Sequence, residues 1–94
     1  MEFEWDPAKD EANRRKHGIA FEEAACIFGS HVLTVPARRG GDGEARLLSI
    51  GLLRQRAVAV VHTDREGCVR IISARPANRK ERALYHGFGA QEAE

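Results

Sequence analysis

The stretch Val69–Tyr85, VRIISARPANRKERALY, constrains this chain more than any other. It opens as a strand: Val69, Ile71 and Ile72 are β-branched, and Gly67 marks a turn just before them. It closes as a helix: Asn78 is a good N-cap, and Glu81 follows at capping-box spacing. Cations line it at Arg70, Arg75, Arg79, Lys80 and Arg82, against the single acid Glu81. The stretch therefore carries +4 in a chain of net charge +1, which leaves −3 for the remainder. That asymmetry is the footprint of a basic patch aimed at phosphates, not of a generally basic protein.

The 94 residues form one domain, 1–94, able to bury a core with little stability to spare. With 43% hydrophobic and 31% charged residues the chain reads as globular, not disordered. No apolar run approaches the roughly 18–20 residues that span a bilayer, so no membrane segment is expected. The N-terminus, MEFEWDPAKD, is acidic and lacks an apolar signal core, so a cytoplasmic setting is expected. Cys26 and Cys68 share no metal spacing and read as free thiols.

In chain order, Phe3-Glu4-Trp5 alternates and reads as an edge or parallel strand. Asp6-Pro7 opens a helix over 7–17. Ala8, Ala12 and Arg15 form one face of it; Lys9, Asn13, Lys16 and His17 form another, polar face. Gly18 closes it. A second helix, 21–28, carries the core stripe Phe21, Ala24, Ala25 and Phe28 and ends at Gly29. Ala20 weakens its cap by about 1 kcal/mol, because no hydroxyl completes the box with Glu23. Strands follow at His31–Val35, Arg46–Leu53, Ala57–Thr63 and Val69–Arg75, with a Gly- and Arg-rich loop, ARRGGDGEA, before the second and a turn at Asp64–Gly67 before the last. A C-terminal helix over about 78–86 stops at Gly87, leaving 87–94 as a frayed tail. The order β-α-α-β-β-β-β-α predicts an α+β fold: a mainly antiparallel sheet, two N-terminal helices and one C-terminal helix.

The four histidines, His17, His31, His62 and His86, have no metal-binding spacing, so neither metal nor cofactor is expected. Phosphate-loop, dinucleotide and nucleophile-elbow motifs are missing from the sequence. What remains is a set of Arg, Lys, His, Tyr and Glu. Metal-free RNA cleavage needs such groups: the 2′-OH must lose a proton, the phosphorane charge must be stabilised, and the leaving 5′-oxygen must gain a proton. Each also has a plainer explanation. Arg70 can snorkel at a sheet edge. Glu81 can serve only its capping box. Arg79 and Arg82 can form a solvated helix face. Tyr85 can be a core residue with a bonded hydroxyl, His17 a partner for its helix dipole, and His62 a half-buried core histidine.

The sequence resembles the BrnT toxins of bacterial type II toxin–antitoxin systems. The likeness runs through FEWDPAK (Phe3–Lys9), Asn13, Lys16-His17-Gly18, FEEA (Phe21–Ala24), Arg46, Ile50-Gly51, VVHT (Val60–Thr63), RIISAR (Arg70–Arg75), Ala77, Glu81-Arg82 and Tyr85. It implies a RelE-like fold and a ribonuclease that cuts RNA to arrest growth, silenced by a BrnA-type antitoxin. It points to Lys16, His17, Arg70, Glu81, Arg82 and Tyr85 for catalysis. Arg46 and Arg75, with Arg79 beside them, are assigned to RNA binding. The resemblance does not divide acid, base and charge-stabilising roles among them. Ala20, Pro76 and His86 depart from the family's usual residues. A toxin homodimer within the complex is compatible with the sequence, which does not require one. The rival function is a non-catalytic module that binds RNA or a protein partner.

Overall fold

The computed structural model describes residues 1–38 and 43–92, so residues 39–42 of the Gly- and Arg-rich loop lie outside it. Five strands form one mixed sheet in the order β1-β5-β4-β3-β2. They are β1 (Glu2–Trp5), β2 (Val32–Pro36), β3 (Leu47–Leu53), β4 (Arg56–Arg65) and β5 (Cys68–Pro76). β1 pairs parallel with β5 at one edge, and every other pairing is antiparallel. The expected β4–β5 hairpin is present, but Arg65 pairs with Cys68, so its turn is only Glu66-Gly67. Both turn residues have positive φ, the pair of conformations that matches the twist of a two-residue hairpin.

Helices α1 (Pro7–His17) and α2 (Phe21–Ala25), with the 3₁₀ turn Cys26–Gly29, cover one face of the sheet. Phe21, Ala24 and Ile27 pack there on Val58, Val60, Val69 and Ile71. A Cβ on Gly51 of β3 would stand 2.9 Å from Ile27 Cβ, so glycine sets how closely that turn approaches the sheet. Helix α3 (Arg79–Glu92) covers part of the other face, where Tyr85 and Ala77 meet Ile50 and Ala59.

Three local expectations are corrected. First, α1 does not pack through Ala8, Ala12 and Arg15, which are exposed; its buried residue is Asn13, assigned above to the polar face. β1 pairs with β5 only as far as Ile71. Beyond that point Asn13 serves as the missing neighbour: its amide accepts from Ala74 N (3.1 Å) and donates to Ala74 O (2.8 Å) and Ile19 O (2.9 Å). A buried strand edge must find such partners, and here one side chain supplies them. Second, the second helix is α-helical only to Ala25 and tightens to 3₁₀ through Gly29. Glu23 accepts from Ala20 N, while Asp10 of α1 accepts from Phe21 N at 2.9 Å and replaces the missing hydroxyl cap. Third, α3 does not stop at Gly87 but continues to Glu92, past two glycines that each cost about 1 kcal/mol in a helix interior.

Candidate functional site

The basic stretch enters the structure with much of its charge already paired. Arg70 donates to Glu4 of β1 at 2.8 Å, and the Cys68 thiol donates to the same carboxylate at 3.2 Å. These two hydrogen bonds, the thiol's first, hold the Glu4 carboxyl below its ordinary range; the same carboxylate pushes the Cys68 thiol up. Arg75 grips Glu81 through two parallel bonds of 2.7 and 2.9 Å. Glu81 also accepts from Asn78 N, while Asn78 accepts from Glu81 N, which completes the expected capping box. The Arg75 bonds, then the Asn78 amide, keep the Glu81 carboxyl below its ordinary range despite partial burial. That carboxylate stays ionised near neutrality and is saturated with donors.

A bulge in β5 decides which way these arginines face. Val61 pairs with Ser73 but His62 pairs with Ile71, so Ile72 is the extra residue. Arg70 and Arg75, five residues apart, consequently share one face, opposite Thr63 and Ala59. Those partners are four positions apart on β4, roughly 13 Å along the strand. Arg70, Arg75 and Arg82 are therefore spread along the sheet and do not crowd one point.

Arg82 lies at the other end of β4. The β4–β5 ladder extends one step as Ala77 N donates to Ala57 O, and Arg82 donates to Ala77 O at 2.8 Å. This tie holds Arg82 beside the β3–β4 turn. Two cavities meet there. One, of about 160 Å³, is lined by His17, Glu23, Arg54 and Arg56 among others. The other, of about 250 Å³, is lined by Gln55, Arg56, Arg82 and His86 among others. Arg56, Ala57 and Pro76 line both. The C-terminus of α1 thus brings His17 to one side of the rim, and the first turns of α3 bring Arg82 and His86 to the other.

The remaining sequence-selected residues lie elsewhere. Lys16 is exposed one residue before His17 and lines neither cavity. Arg79 is exposed on α3. Arg46 stands just before β3, in line with Thr63, and its Nε is buried without a partner. Tyr85 is 7% exposed and its hydroxyl donates to His31 O at 2.9 Å, the arrangement of a core tyrosine. His62 is 1% exposed and is bonded at both nitrogens, to Ser49 Oγ and Asp64 Oδ1, each at 2.7 Å. Thr34 extends the chain to Ser49 at 2.7 Å. The order Ser–His–Asp is that of a hydrolase relay, but Ser49 is completely buried, so no substrate reaches it. The network ties β2, β3 and β4 together beneath the Phe28 ring.

His17 and Arg82 thus line two separate cavities that share Arg56, Ala57 and Pro76, while Arg70 and Arg46 lie near the opposite end of β4. Residues 5–81 match the family model described as ribonuclease toxin, BrnT, of type II toxin–antitoxin system. The chain belongs to the BrnT family. Comparison with curated proteins finds no match. Family membership makes this chain a ribonuclease toxin with an antitoxin partner and RNA as its target. The BrnT match includes His17, Arg56 and Arg75 and ends one residue before Arg82. Among the described residues no helix is long and apolar enough to cross a membrane. Arg56 and His86 of this BrnT chain line these cavities but are not among the residues selected from the sequence. The only sequence signal for Arg56 is that it follows a short break between two apolar runs.

Proposed function

We propose that the chain is a metal-independent endoribonuclease with a RelE-like arrangement of sheet and helices, and that the rim between the two cavities is where RNA is cut. The observation that supports this is that the cavity lined by His17 and the cavity lined by Arg82 and His86 share Arg56, Ala57 and Pro76. Imidazoles move protons near neutral pH, and a guanidinium stabilises the dianionic phosphorane. The 2′-oxygen attacks phosphorus and gives up its proton, the P–O5′ bond breaks, and the leaving oxygen takes a proton. The products are a 2′,3′-cyclic phosphate and a 5′-hydroxyl. His17 takes part in proton transfer and Arg82 holds the non-bridging oxygens. Lys16 adds positive charge beside His17. Glu81 positions Arg75 and Tyr85 seats α3, while Arg79 follows the RNA backbone away from the cut and Arg46 and Arg70, near the far end of β4, take no part in it.

A BrnA-type antitoxin silences the enzyme by covering this rim or displacing an element that builds it. The test is end-group analysis of RNA cleaved in EDTA. Cyclic or 3′-phosphate ends support the proposal; a requirement for Mg²⁺ with 5′-phosphate ends refutes it.

A further inference from the structure

Arg56 opens β4 directly after the two-residue β3–β4 turn, Arg54-Gln55. Both turn residues are left-handed, with φ of 52° and 68°, and neither is glycine. Asn-Gly is the usual solution for such a turn, and an ordinary L-residue costs roughly 1–2 kcal/mol there. Two long polar side chains are nonetheless held in this conformation. Arg54 reaches back 2.9 Å to Glu23 of α2, so the turn is braced against the helical layer.

Pairing then separates the arginines around the two cavities. Arg54 is neutralised by Glu23, and Arg75 by Glu81. Arg56 is exposed and has no carboxylate at ion-pair distance among the described residues. It is the cation that lines both cavities, between His17 on one side and Arg82 and His86 on the other. An extended polyanion crossing from one cavity to the other must pass it. A guanidinium there presents a planar fork that fits two oxygens of one phosphate.

We propose that Arg56 is a phosphate-binding residue of this chain, holding an RNA phosphate at the rim between His17 and Arg82, and that the braced Arg54-Gln55 turn exists to place it. The assignment rests on the ribonuclease function proposed above and deepens it.

The experiment compares wild type, Arg56→Ala, Arg56→Lys and, as a remote control, Arg14→Ala. Affinity for a single-stranded 2′-O-methyl RNA, which cannot be cut, is measured across a salt series, and cleavage of the matching unmodified RNA is measured in parallel. Each contact to a single-stranded phosphate contributes about 0.7 to the slope of log affinity against log salt. Arg56→Ala is expected to weaken RNA binding about 10-fold or more and to lower that slope by about 0.7, with an unchanged melting temperature. Arg56→Lys is expected to restore the slope but not the full affinity, because a point charge replaces a fork. Arg14→Ala is expected to match wild type. A folded Arg56→Ala with wild-type affinity and slope overturns the Arg56 assignment while leaving the ribonuclease function in place. A wild type that binds RNA but yields no new ends overturns the ribonuclease function, and the salt slope then decides Arg56 alone. If Arg56→Ala fails to fold, Arg56→Lys carries the test: wild-type affinity in that variant rules out a bidentate contact.

Discussion

The two ends of β4 are both rich in arginine and differ in what those arginines face. At the Arg65 end, Arg65 pairs with Glu44, Arg70 with Glu4, and Cys68 shares the Glu4 carboxylate. At the Arg56 end, Arg56 and Arg82 have no carboxylate partner among the described residues, and His17 and His86 stand nearby. The Arg56 end thus holds two arginines without a carboxylate, Arg56 and Arg82, beside the paired Arg54, whereas at the Arg65 end Arg46 is the arginine without one among the described residues. A carboxylate already within 3 Å of a guanidinium must be displaced before a phosphate can take its place, which lowers the net gain. On the proposed function the open end is the one that attracts a polyanion, while the closed end holds the β1 edge in register. Sequence cannot show this difference, because the acids that neutralise Arg70 and Arg65 are 66 and 21 residues away.

The sharpest way to break the comparison is to remove one arginine from each end. Arg82→Ala is expected to lower kcat/KM for RNA cleavage by on the order of 10²–10³, the size of a lost transition-state contact. Arg70→Ala is expected to lower it less than about 10-fold, since its charge is already balanced. Both are checked in single-turnover cleavage assays with thermal melts alongside. Equal losses from the two would erase the distinction between the ends.

Stability gives a second handle. Asn13→Ala leaves Ala74 N and O without their buried partner and is expected to destabilise the domain by about 2–4 kcal/mol. Denaturant unfolding measures it. The same scan on Gly51→Ala is expected to show a loss of about 1–3 kcal/mol from crowding against Ile27.

Acid dependence tests the Arg75–Glu81 pair. The Glu81 carboxyl is depressed from its ordinary value of 4.5, so its contribution is full above that value and is lost as pH falls through the depressed one. Glu81→Gln is expected to lower the melting temperature at pH 7 and to flatten its decline below about pH 4.5. A variant melting curve parallel to wild type through that range contradicts the pairing.

The smallest expected effect comes from opening the closed end. Glu4→Gln frees Arg70 and is expected to tighten RNA binding only a few-fold, with a steeper salt dependence. Fluorescence anisotropy with 2′-O-methyl RNA measures both.

Local chemistry was legible in the sequence wherever the partners were neighbours in the chain. Asn78 and Glu81 form their capping box, Asp6 accepts from Ala8 N at the start of α1, and Gly18 ends that helix with φ of 73°. Phe3–Trp5 is both an edge strand and a parallel one, and β4 pairs antiparallel with β5. The misreadings arise where a distant element supplied the partner. Asn13 reads as polar surface until β5 presents an unpaired edge to it. The shared face and the separation of Arg70 and Arg75 are set by the Ile72 bulge, which the sequence does not announce. Tyr85 carries both a core and a catalytic reading in the sequence, and its hydroxyl donates to His31 O as the core reading expects. Arg54, in the β3–β4 turn, lines the His17 cavity only because α1 folds back to it. For Arg56 the sequence offers only the short break before it, because the two cavities it lines exist only in the folded chain.

The most direct measurement of where RNA binds is an NMR titration of the folded toxin with 2′-O-methyl RNA, following backbone amide shifts. The open-end account predicts that the largest changes fall at His17, Arg54–Ala57 and Arg82–His86, with small changes at Glu2–Glu4 and Arg65–Arg70. Shifts concentrated around Glu4, Arg65 and Arg70, with the β3–β4 turn unmoved, would contradict it.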